Sequence, residues 1–136
     1  VFATAPYIEL LDDWVCVWIG DLTEPEVDAY VRETRSPDPE GPNSEFSREL
    51  GSWYDHHQLW GGAVAHPLPI AELAETVGVQ PPRVVSEIGR RGGSTTNARC
   101  VLVLFRAKVA SDDRRAFAGG RLRLLGCWQE SSPVDY

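Results

Sequence analysis

The chain has no methionine and only three cysteines and three histidines in 136 residues. It also has no uninterrupted apolar run near the roughly 20 residues a membrane helix needs, so no span and no membrane partner are expected. Cys16, Cys100 and Cys127 are odd in number, lie in apolar stretches, and have spacings that fit no zinc motif. They are expected as buried free thiols, as in a reducing, cytoplasmic setting. The first residues lack a basic n-region, so no signal peptide is expected. There is no His-Glu-x-x-His, no Gly-x-Ser-x-Gly and no Walker lysine. Gly92-Gly93-Ser94-Thr95 precedes a strand where a phosphate cradle would precede a helix.

Basic residues are scarce early in the chain. Residues 1–80 hold three against fifteen acidic ones, whereas residues 81–136 hold ten against five, for a net charge of -7. The acidic part should repel nucleic acid and attract basic surfaces.

What is present is organised around Trp14-Val15-Cys16-Val17-Trp18-Ile19. This run is too short for an ordinary helix and rich in β-branched and aromatic types, so it reads as a strand covered on both faces. Gly20 allows a sharp exit. Thr23 with Glu26 makes a capping box for a helix over about 24–33, with Val27, Tyr30 and Val31 on its inner stripe. The segment 35–43 carries three prolines and reads as a loop. Asn43 or Ser44 caps a short helix that Gly51 ends. Residues 53–59 read as irregular, Gly61-Gly62 as a break, and Ala63–His66 as a short strand. Helices follow over 67–77 and from Pro81-Pro82 to Gly92. A second strong strand spans Arg99–Val109 and a third Arg121–Trp128, and the pattern predicts that these two form a hairpin with a long connection. The expected fold is α+β (mixed α/β): one domain over 1–136 with a core of about 14–128, and a small central sheet of three to four strands with about four helices packed on it. Residues 1–13 are expected as a loose lead-in, with Tyr7, Ile8, Leu10 and Leu11 able to pack on the domain edge, and 131–136 as a loose tail.

Two local features carry chemistry. Tyr54-Asp55-His56-His57, with His66 nearby, offers imidazoles and a carboxylate for metal binding or acid–base work. Adjacent histidines diverge on a strand or a helix, so no metal ligand set is assigned. A small metal-dependent hydrolase using Asp55, His56 and His57 remains an alternative. The second feature is aromatic: of five tryptophans, Trp14, Trp18 and Trp128 are expected in the core, while Trp53 and Trp60 flank the polar cluster. Aromatics beside carboxylates suit a docking patch for a basic protein. A protein-interaction domain of unspecified use is the remaining alternative.

Val15-Cys16-Val17-Trp18-Ile19-Gly20-Asp21, the acidic helix with Val27, Tyr30 and Val31, then Ser44-Glu45-Phe46, Leu50-Gly51 and Trp53-Tyr54-Asp55-His56 resemble the Imm22 family of bacterial immunity proteins. Strands like Ala98–Phe105 and Leu122–Trp128 extend the resemblance over about residues 14–128. The chain departs from the family pattern at Asp21, where Asn is usual, and at His57-Gln58. The resemblance implies a cytoplasmic antidote in a polymorphic toxin system. Such a protein has no catalytic residues and no cofactor, and it binds a cognate toxin domain, often a nuclease, encoded beside it. The contact residues then expected are Asp21, Glu24, Glu26, Asp28, Trp53, Tyr54, Asp55, His56 and Trp60, with the 35–43 loop.

Overall fold

Val15 to Ile19 are buried without exception, and the pleat divides them between two cores. Cys16 and Trp18 face one way, and Val15, Val17 and Ile19 face the other. Fully burying each larger apolar side chain contributes about 1.5–3 kcal/mol, so this strand anchors both layers at once. In the computed structural model, which describes residues 2, 4–34, 41–93, 96–111 and 113–134, it is β2 (Trp14–Gly20). Residues 35–40, Ser94-Thr95 and the last two residues of the tail lie outside the described residues.

The other elements in chain order are β1 (Ile8–Glu9), α1 (Glu24–Val31), α2 (Glu45–Leu50), a 3-10 turn (His56–Gln58), β3 (Leu59–Pro69), α3 (Ile70–Thr76), α4 (Pro82–Gly92), β4 (Asn97–Phe105), β5 (Lys108–Val109), a second 3-10 turn (Ala118–Gly120) and β6 (Leu122–Gln129). Four strands form one antiparallel sheet in the order β3-β4-β2-β6, and β1 pairs with β5 in a small second sheet. The expected small α+β domain is the observed one, with α1 and α2 on one face of the main sheet and α3 and α4 on the other. No helix is long and apolar enough to cross a membrane among the described residues.

Trp18 is the centre of the first face. Its ring stands edge-on to Phe46 at 5.1 Å and to Phe117 at 5.7 Å. Tyr30 and Tyr54 close the cluster against Phe46 at 5.5 and 5.4 Å. On the second face Val17, Ile19, Val101, Val103 and Phe105 receive Ile70 and Leu73 of α3 and Val84 and Ile88 of α4. Val84 and Ile88 stand one turn apart, so a 3.6-residue period sets both on the same face of α4.

Several expectations are corrected. β4 and β6 are not a hairpin: β2 lies between them and pairs with both. A central position suits the strand whose two faces are both apolar, and it leaves the half-polar β6 at an edge. Gly61-Gly62 does not break the chain but lies inside β3, where a Cβ would stand 2.6 Å from Leu102 on one face and 2.9 Å from Val77 on the other. These are sites of close approach within a strand. Helix α3 starts at Ile70, because β3 continues to Pro69. Tyr7 and Ile8 belong to the first core, while Leu10 and Leu11 are exposed. Trp18 alone of its trio is fully buried; Trp14 and Trp128 are half-buried, with Lys108 Nζ 4.4 Å and Arg91 Cζ 4.7 Å from their rings.

Candidate functional site

Helix α1 begins as its sequence predicts. The Glu26 N–H donates to Thr23 Oγ1 at 3.4 Å, and the Thr23 N–H donates back to Glu26 Oε1 at 3.0 Å. Val27 and Tyr30 turn into the first core and leave Glu24 and Asp28 on the exposed side. Neither has an ion-pair partner among the described residues.

Ser44 caps α2 by accepting the Ser47 N–H at 3.0 Å, and Gly51 ends it at a φ of 67°. The chain then passes inward through Tyr54, which is buried with its hydroxyl 3.2 Å from Ser44 Oγ. Burial raises the Tyr54 pKa above the ordinary phenol range. It emerges at Asp55, whose carboxylate accepts the His57 N–H at 2.9 Å and lies 3.0 Å from His57 Nδ1. The backbone N–H of His57 is the main cause holding the Asp55 carboxyl below its usual pKa.

This capped 3-10 turn corrects the expectation that the neighbouring histidines diverge. The rings of His56 and His57 lie 4.0 Å apart, tilted by 36°. One donor atom from each of Asp55, His56 and His57 falls within a 4.8 Å group, and all three residues are exposed. His56 Nδ1 also stands 3.0 Å from Glu33 Oε1, just past the end of α1.

Between α1 and β3 lies a pocket of about 380 Å³. Val27, Leu59 and Leu102 make its apolar floor, Gly61 leaves it open, and Asp28, Glu33 and His56 line it beside them. A Cβ at Gly61 would stand 2.6 Å from Leu102 Cδ2 and 3.8 Å from Val27 Cγ1, so the missing side chain helps make this space. Of the residues expected at a contact surface, Asp28 and His56 meet here, with Asp55 beside them and Glu24 one turn back on α1. Glu33, Leu59, Gly61 and Leu102 were not anticipated. Glu33 is 23 residues from His56, and only the docking of α1 against β3 joins them.

The remaining expected residues go elsewhere. Asp21 and Glu26 are both taken by Arg121, whose Nε donates to Asp21 Oδ1 at 3.0 Å and whose Nη2 donates to Glu26 Oε1 at 3.0 Å. Its guanidinium is the leading cause that pulls the Glu26 carboxyl down to about 2. Asp21 also lines a second cavity of about 330 Å³ with Arg99, Arg121 and Arg123. Folding therefore mixes the acidic and basic parts of the chain at that end of the sheet, and of the expected acidic contact residues Glu24, Asp28 and Asp55 stay clear of Arg121. Trp53 is exposed, and its indole N–H donates to the Gly41 carbonyl at 2.8 Å. Tyr54 is a core residue. Trp60 packs with the second core, on the opposite face of the sheet from the pocket, so Trp53 and Trp60 do not frame one patch. Within the 35–43 loop, residues 35–40 lie outside the described residues.

No family model, curated protein or solved structure matches the chain.

Proposed function

We propose that the protein is a non-enzymatic inhibitor that binds a cognate bacterial toxin domain of basic surface, with a nuclease the class that fits, and neutralises it by covering it. The resemblance to immunity proteins supplies the class, and a cytoplasmic location goes with it. One observation supports the docking surface: the pocket between α1 and β3 joins an apolar floor to Asp28 and Glu33. A lysine or arginine side chain matches that combination, with its methylene stem on Val27, Leu59 and Leu102 and its charged head beside the carboxylates. Glu24 and Asp55 extend the same negative field and would steer a basic partner toward the pocket.

The experiment is to purify the polypeptide encoded by the adjacent gene and mix it with this chain. A one-to-one complex is expected, weakened by salt and by Asp28→Lys. Two folded proteins that fail to associate at micromolar concentration overturn the reading.

A second reading, a small metal-dependent hydrolase, draws support from the Asp55, His56 and His57 donor atoms within 4.8 Å of one another. Imidazole and carboxylate donors suit zinc. It predicts metal retained through purification and lost in His56→Ala, read by elemental analysis; metal-free protein removes it.

A further inference from the structure

Cys16 on β2 and Cys127 on β6 are directly opposed partners in the antiparallel ladder, and their sulfurs lie 3.5 Å apart. We propose that these two thiols are a redox modification site, closing to a reversible cross-strand disulfide when a hydroperoxide reaches Cys127. The inference is independent of the docking surface argued above.

The register meets the geometric requirement. Opposed residues in an antiparallel pair have Cα atoms about 4.5–5.5 Å apart, inside the roughly 4.4–6.8 Å that a disulfide needs. The sulfurs must approach by about 1.5 Å to reach bonding distance, a shift within reach of side-chain torsions. A local irregularity makes the pairing possible. The β2–β6 register slips between Val17 and Trp18, so that Trp18 faces Leu124 while Val17 faces Gly126. Leu125 is the extra residue of a bulge. Unbroken alternation from Leu124 would set Cys127 opposite Val15, on the other face of the sheet. With the bulge, Cys127 joins the face of Cys16.

The two sulfurs have different roles. Cys127 is half-buried, whereas Cys16 is sealed in the core. The Cys16 thiol has two acceptors in reach, the Ala107 carbonyl at 3.2 Å and Cys127 Sγ at 3.5 Å, and its hydrogen bond to Cys127 is the leading cause that lowers the Cys127 pKa. Lys108 of β5 and Arg91 of α4 add positive charge. The Cys127 thiolate attacks one peroxide oxygen, the O–O bond breaks, and hydroxide leaves, giving a sulfenic acid. Cys16 sulfur then attacks the Cys127 sulfur, displacing hydroxide that takes up the Cys16 proton as water. Two thiols and one hydrogen peroxide become one disulfide and two waters, with both electrons coming from the sulfur pair. Cys100 is buried, and its pKa is raised chiefly by that burial, so it stays a thiol.

The test treats the folded 136-residue chain with hydrogen peroxide, quenches with catalase, blocks free thiols with iodoacetamide and maps peptides by mass spectrometry. The expected product has lost two hydrogens, links the Cys16 and Cys127 peptides, leaves Cys100 alkylatable after unfolding, and reverts with dithiothreitol. In native protein Cys127 should be alkylated at least about tenfold faster than Cys100. Cys127→Ser should form no link. Cys16→Ala should leave a Cys127 sulfenic acid that dimedone traps. Sulfinic acid at Cys127 of the wild-type chain without a link to Cys16, a link through Cys100, or three unchanged thiols would each overturn the proposal. The wild-type map decides the matter even if a variant fails to fold.

Discussion

The Tyr30 hydroxyl donates to Glu49 Oε1 at 2.6 Å, and the same oxygen accepts the Ala118 N–H at 2.9 Å. One carboxylate thereby ties α1, α2 and the 3-10 turn before β6 together at the rim of the first core. Tyr30 is buried, and its pKa is pushed up by desolvation first and by Glu49 second. Glu49→Ala leaves a buried hydroxyl and a backbone N–H without this acceptor. The expected loss is about 2–3 kcal/mol, with Tyr30→Phe costing less, about 1–2 kcal/mol. Urea unfolding of the two variants checks both values, and a loss from Glu49→Ala smaller than that from Tyr30→Phe contradicts the shared-acceptor geometry.

Gly20 is the exit from β2, and its space is filled from outside. A Cβ there would overlap the Arg121 carbonyl oxygen, the acceptor of the Asp21 N–H at 3.1 Å. Gly20→Ala must push β2 away from the start of β6, with an expected destabilisation of about 1–3 kcal/mol. Gly78, where no atom lies within 4 Å of the added Cβ, is the contrast in space alone, since its φ of 80° still favours glycine. Chemical denaturation measures Gly20→Ala, and wild-type stability in that variant would refute the tight contact.

The Arg121 bridge sets an acid-side dependence. The Glu26 carboxyl is held down to about 2 in the folded chain, with Arg121 the first cause and Thr23 the next. A lowered folded pKa means that the contribution is fully present above the ordinary carboxylate range of about 4.3 and is lost as pH falls from there toward 2. Carbon-13 titration of the Glu26 carboxyl should show this low midpoint. Arg121→Ala should move it upward, though not wholly to the ordinary value, because the Thr23 hydrogen bonds remain. An unchanged midpoint in that variant would mean the bridge is absent in solution.

Asp28 and Glu33 provide the test of steering. Their joint replacement by lysine should slow association with the proposed basic partner by about tenfold at low salt, with a smaller change in dissociation. The difference from wild type should shrink as salt rises. Stopped-flow mixing reads both rates. Trp60→Ala, on the other face of the sheet, should leave association unaltered if it folds. An equal effect of both changes would place the contact elsewhere.

How legible the molecule was depended on the range of the interaction concerned. Thr23 with Glu26, Ser44 and Gly51 act over three to seven residues, and each does in the structure what its residue type and spacing predict. The inner stripe of α1 and the two-faced β2 were readable for the same reason, since periodicity is a local record of what will be buried. The glycines of β3 misled because a residue without a side chain looks alike whether it breaks a strand or lets Leu102 and Val77 come close. The histidines misled because a regular strand or helix would separate them, whereas the Asp55 cap imposes a tighter turn.

The amino-acid order by itself determined an α+β domain with a double-sided central strand, its capped helices and its excess of early acidic residues. Tertiary structure alone decided that β2 separates β4 from β6, that Arg121 neutralises half of the acidic helix start, that Glu33 meets His56, and that a bulge at Leu125 turns Cys127 toward Cys16. The physical reason is that burial and capping are properties of short stretches. Strand order, register and charge pairing compare segments up to about a hundred residues apart, and they are settled only when those segments compete for the same faces of one sheet.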